Sequence, residues 1–188
     1  MPNKLFEKGS PVRFVAIFLV LFLVFYYFNI FFFGITSPGN NYNTFLAEHI
    51  NYIHWLRQFL LRSTAIVLGW FGYASITNEY EILVAGHGTL QLVYSCLGLG
   101  VMSFFTAFVI AYPKTLKAKI LFIIAGNLVI QLLNILRFVL LALFWNKKGG
   151  HIVDHHTIFN ISIYIIIGVT LYFWVKHDDK KSSNLAKN

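Results

Sequence analysis

Cys96 is the single cysteine of this 188-residue chain, in the run Tyr94-Ser95-Cys96-Leu97-Gly98-Leu99-Gly100. A thiolate attacks an acyl carbon once its pKa is lowered or a base stands beside it. Gly98 and Gly100 let the backbone approach a substrate or another helix closely. Without that context a lone cysteine is more often a small buried hydrophobe. Downstream, Asn134-Ile135-Leu136-Arg137 sets a guanidinium inside an apolar segment, and His151-Ile152-Val153-Asp154-His155-His156 gathers imidazoles. A fixed cation stabilises a developing oxyanion in a low-dielectric site. An imidazole takes up and releases protons near pH 7. A thiol, a guanidinium and an imidazole at one membrane boundary would make a cysteine-nucleophile active site.

Arg137 is the least expected residue on energetic grounds. It precedes Trp145 by eight residues, which puts its Cα roughly 12 Å from that helix end at 1.5 Å per residue. An arginine there costs about 2.5–3.5 kcal/mol on insertion scales and faces the bundle or serves function. Asn127, Gln131, Asn134 and Arg137 are spaced by 4, 3 and 3, so they form one polar stripe on an apolar helix. A snorkelling arginine would need no such companions. His155 and His156 are adjacent, so on a helix their side chains diverge by about 100° and only one would face Cys96. Asp154 could orient an imidazole. His151, Asp154, His155 and His156 are also possible zinc ligands.

These groups need a scaffold, and composition says which kind. Apolar residues make up 57% of the chain and charged residues 12%, in apolar runs long enough to cross a bilayer. The expected fold is an all-α integral membrane protein, a bundle of about four transmembrane helices at 12–35, 97–112, 120–145 and 157–175. The stretch 45–75 mixes Phe45, Ile50, Ile53 and Trp55 with Glu48, His49, His54 and Arg57, an amphipathic pattern suited to an interfacial or re-entrant helix. Segments 80–84 and 89–94, around Gly86-His87-Gly88, predict a small extracytoplasmic β-hairpin leading into Cys96. Residues 1–175 are expected to be one membrane-embedded domain and 176–188 a charged cytoplasmic tail. A single cysteine excludes an intramolecular disulfide and any CxxC motif. The first apolar run is too long for a cleavable signal peptide.

Charge sets the orientation. The formal net charge is +8, with lysines and arginines in connections and tails, so it marks topology rather than a nucleic-acid footprint. The basic N-terminus, the Lys114 to Lys119 link and the C-terminal tail go to the cytoplasm, against the lesser weight of Lys147 and Lys148. Four crossings follow if 45–75 does not cross. Cys96, the outer end of the Arg137 helix and the histidine cluster then share the outer face.

The order of Cys96, then Asn134-x-x-Arg137, then a histidine opening the next helix resembles the exosortase/archaeosortase family of membrane cysteine transpeptidases. The likeness runs from about Ala65 to Val175, and the run from Asp154 through Asn160 looks most like the small Bacteroidetes-type exosortases. The resemblance implies an enzyme of the bacterial cytoplasmic membrane that uses no cofactor. It would cleave exported proteins bearing a C-terminal sorting signal, made of a short motif, a transmembrane helix and a basic end. A thioester would form at the cysteine, followed by transfer to an acceptor or to water. It further implies Cys96 as nucleophile, Arg137 as oxyanion stabiliser and His156 as base, from His156-x-x-x-Asn160-x-x-x-Tyr164, with His155 the runner-up. Two departures stand: Leu97 where the family has a hydroxyl residue, and Asn160 where it has glycine. Two other classes compete. One is a non-enzymatic membrane scaffold in which Arg137 pairs with a partner's acid. The other is a metal-dependent hydrolase built on the histidine cluster.

Overall fold

The computed structural model describes residues 10–39, 42–144 and 161–176. The chain divides into two compact units, Met1–Asn146 and Lys147–Asn188. The first holds α1 (Pro11–Thr36), α2 (Thr44–His49), α3 (Tyr52–Trp70), β1 (Ser75–Thr77), β2 (Glu81–Val84), β3 (Gly88–Gln91), a 3₁₀ turn (Tyr94–Cys96), α4 (Leu99–Ala111) and α5 (Leu116–Phe144). The second contributes α6 (Ile161–Lys176).

Of these helices, α1 and α5 are long and apolar enough to cross a membrane, while α4 and α6 are shorter apolar helices. Pro11 sits in the first turn of α1, where its missing N–H costs nothing. Only Phe32 and Thr36 of α1 are buried, and Val20, Tyr27 and Phe31 are at least 60% exposed. A helix apolar on every face with so much of it uncovered suits lipid rather than water. Its inner face is an aromatic ladder: Phe14, Phe18 and Phe22, one turn apart, meet Phe104 and Phe108 of α4 edge-on. Edge-to-face geometry sets the positive ring edge against the negative face. Pro113 forces Tyr112 into extended backbone and so ends α4. Lys119 then donates from Nζ to the Ile110 carbonyl at 2.6 Å, satisfying a helix-end acceptor. Against α4, α5 comes so close at Gly126 that a Cβ there would overlap the Phe105 ring.

Three local expectations need correction. The stretch 45–75 is two helices, because Asn43 caps α2 through Leu46 N–H at 3.1 Å and Asn51 caps α3 through His54 N–H at 3.0 Å. An asparagine carbonyl that takes up a free first-turn N–H favours a helix start over a helix interior. The helix after Cys96 begins at Leu99, two residues later than 97, and α5 begins at Leu116, earlier than 120. Finally, the sheet has three antiparallel strands in the order β1-β2-β3. Opposite Leu90 and Gly88 of β3 stand Ile82 and Val84 of β2, and β1 adds Ile76 opposite Leu83. Buried Ile82 and Val84 alternate with exposed Leu83, the period of a strand with one covered face.

Candidate active site

Cys96 closes the 3₁₀ turn: its N–H donates to the Val93 carbonyl at 2.9 Å, and Leu97 N–H donates to the Tyr94 carbonyl at 3.1 Å. It is buried, 6% exposed. The thiol therefore precedes the first turn of α4 instead of lying within it. Gly98 separates the two in the left-handed region, φ 76°, which an L side chain enters at a cost. Tyr94 packs against Phe33 of α1 with the rings tilted by 33° and centroids 4.5 Å apart, and burial pushes its phenol upward in pKa, assisted by Tyr26.

The polar stripe of α5 is what holds this turn. Gln131 Nε2 and Asn134 Nδ2 both donate to the Leu97 carbonyl at 3.4 Å, and Asn134 also donates to Gln131 Oε1 at 3.1 Å. One helical step further, Arg137 donates from Nη2 to Cys96 Sγ at 3.8 Å. The same α5 face thus grips the residue after the cysteine and directs a cation at the cysteine itself. Gln131, Asn134 and Arg137 are all buried, at 7, 2 and 4% exposure. Asn127, at the far end of the stripe, instead donates to Thr106 Oγ1 of α4 at 3.2 Å. A guanidinium beside the sulfur is placed to stabilise an oxyanion that forms there after attack.

Gly98 is required for two reasons. Besides its positive φ, a Cβ there would come within 2.5 Å of Asn134 Nδ2. Gly98→Ala is therefore expected to cost about 1–2 kcal/mol from the left-handed backbone alone, and to displace Asn134 from Leu97. Thermal denaturation of the purified protein in lipid nanodiscs checks this; an unchanged midpoint would contradict it.

Of the residues singled out in the sequence, Cys96, Gly98, Asn134 and Arg137 meet at one point in the first unit. His151, Asp154, His155, His156 and Asn160 lie outside the described residues. Among the described residues no three metal-ligating side chains cluster. One buried charge went unread in the sequence. Arg57, a polar member of the amphipathic pattern at 45–75, is buried, 6% exposed. Yet Ile53, Arg57, Leu60, Thr64 and Leu68 share the buried face of α3 at helical spacing, a pattern visible in the sequence.

An α-helical membrane protein that packs one buried thiol against a buried guanidinium is the class these observations define. Residues 4–175 match the family model described as transmembrane exosortase (Exosortase_EpsH), and the chain belongs to that family. No curated protein and no solved structure matches it.

Proposed function

We propose that the protein is a membrane cysteine endopeptidase or transpeptidase that cleaves C-terminal sorting signals of exported proteins through a thioester on Cys96. The observation that carries this reading is the 3.8 Å approach of Arg137 Nη2 to Cys96 Sγ. A buried guanidinium is an expensive neighbour for an inert thiol and a useful one for a nucleophile. In the proposed cycle His156 takes the Cys96 proton, and the thiolate adds to the scissile carbonyl. Arg137 stabilises the resulting oxyanion. Collapse then breaks the C–N bond, and the imidazolium returns its proton to the leaving amine. Water or an acceptor amine finally releases the acyl group from sulfur. A substrate tethered by its own transmembrane helix reaches the site by lateral diffusion, which supplies part of its orientation.

The proposed topology has four spans, α1, α4, α5 and α6, with α2, α3 and the sheet uncrossed at the outer face of the bacterial cytoplasmic membrane. Lys117 and Lys119 mark the inner end of α5. From Ile120 to Arg137 the helix rises about 26 Å, close to the roughly 30 Å hydrocarbon thickness. Arg137 and Cys96 then lie just inside the outer boundary, where water is scarce and a peptide can still reach.

The test is in-cell processing of membrane-anchored proteins that end in a helix and basic residues, compared among wild type, Cys96→Ala, Arg137→Ala and His156→Ala at equal membrane levels. A C-terminally longer precursor should accumulate in every variant. His156→Ala is expected to block processing while His155→Ala retains most of it; the reverse result would transfer the base to His155.

A further inference from the structure

The N-terminal end of α1 and the C-terminal end of α4 border a cavity of about 500 Å³, lined by Ser10, Arg13, Phe14, Ile17, Ala111 and Tyr112. The two helices run antiparallel, since Phe14 meets Phe108 and Tyr112 while Phe22 meets Phe104. From Arg13 to Thr36, α1 rises about 34 Å, slightly more than the roughly 30 Å of hydrocarbon it would cross. Arg13 therefore stands at headgroup level, and Phe14 and Ile17 continue the wall towards the acyl chains.

This end of the chain is cationic. Arg13 is half-buried, Lys114 Nζ stands 5.9 Å from the centroid of the Tyr112 ring, and Lys117 and Lys119 follow in the first turn of α5. Every carboxylate among the described residues, Glu48, Glu79 and Glu81, is carried beyond the C-terminal end of α1. The carbonyls that end α4 do not compensate. That of Ile110 accepts from Lys119 Nζ at 2.6 Å, and that of Tyr112 accepts from the Lys114 N–H at 2.9 Å. Cations gathered at a membrane surface attract anionic lipid.

We propose that the cavity binds one anionic phospholipid, with its phosphate on Arg13 and its glycerol and upper acyl chain along Phe14 and Ile17. A planar guanidinium meets a phosphate with two parallel donors. The volume falls within the range of about 300–1,000 Å³ that small-molecule sites occupy. A free phosphate would use the cation but leave the apolar wall without a function, whereas a lipid uses both. The site goes beyond the cleavage reading and does not depend on it, nor on which face of the membrane this end occupies.

The test is native mass spectrometry of the full-length protein in neutral detergent, titrated with phosphatidylglycerol or with phosphatidylcholine of the same acyl chains. Both lipids carry the phosphate, but the choline cation is repelled by Arg13 and Lys114. A single phosphatidylglycerol should bind about tenfold tighter or better, as two cations beside the headgroup imply. Arg13→Gln should weaken its binding at least about fivefold, while Lys117→Gln, exposed and outside the cavity, should change it less than about twofold. Equal binding of the two lipids overturns the proposal. Equal losses in the two variants overturn it too, because they would show diffuse surface charge alone. Displacement of the lipid by millimolar inorganic phosphate would make the cavity a bare anion site, and the proposal falls. Should Arg13→Gln fail to fold, the comparison of lipids and the phosphate competition on the unaltered protein still decide. Failure of the cleavage reading would appear separately, as normal processing in Cys96→Ala cells, because no substrate enters this measurement.

Discussion

Cells carrying Cys96→Ala are expected to show only the unprocessed, C-terminally longer form of each substrate. In an analogous hydroxyl-nucleophile protease, loss of the nucleophile lowers kcat on the order of 10⁶-fold. The chain has one thiol, so no second cysteine can replace it. Cys96→Ser keeps the shape and a hydroxyl, but a hydroxyl beside a guanidinium is far less ionised than a thiol, so it too should accumulate precursor. The fold should tolerate both changes, since a small buried side chain is replaced by one of similar or smaller size. Normal processing in Cys96→Ala at equal membrane levels would remove the cysteine mechanism and restore the scaffold reading.

Replacement of Arg137 separates function from stability. Loss of one preorganised oxyanion donor costs about 10²–10³ in kcat, and Arg137→Leu should show at least that loss. The same change removes a buried charge whose desolvation opposes folding, so the thermal midpoint in nanodiscs should hold or rise. Arg137→Lys retains charge but not the planar fork, and its flexible ammonium will not rest at the same point against Sγ. It should recover a minor part of the activity. A structural arginine would give the opposite pattern, with the midpoint falling in Arg137→Leu and activity lost only in proportion. The rate of thioester formation on a processed substrate and the melting curve, taken together, distinguish the two.

Much of the site was legible because helix periodicity is a short-range property. Spacings of 4, 3 and 3 put Asn127, Gln131, Asn134 and Arg137 on one face of any helix, whatever surrounds it. The apolar runs of α1 and α5 exceed the length of a bilayer crossing, which local composition alone dictates. The asparagine caps that divide α2 from α3 were also present in the sequence, at Asn43 and Asn51, but a continuous amphipathic pattern masked them. Strand β1 left a fainter trace. Three residues, Ser75-Ile76-Thr77, become a strand only because β2 supplies their partners.

What the sequence by itself determined is a membrane-embedded helical chain of the exosortase family, with a stripe of amides leading to an arginine. These follow from composition, periodicity and residue order, which neighbours in space do not alter. Only the tertiary structure decided that Leu97 is held by Gln131 and Asn134, that Gly98 must turn left-handed beneath Asn134, and that Arg137 therefore meets Cys96 at 3.8 Å. It alone set the Arg57 guanidinium against the Tyr80 ring, with Cζ 4.7 Å from the centroid. The reason is physical: contacts between residues 41 and 23 positions apart depend on the packing of α5 on α4 and of α3 on the sheet. No local propensity encodes such a distance.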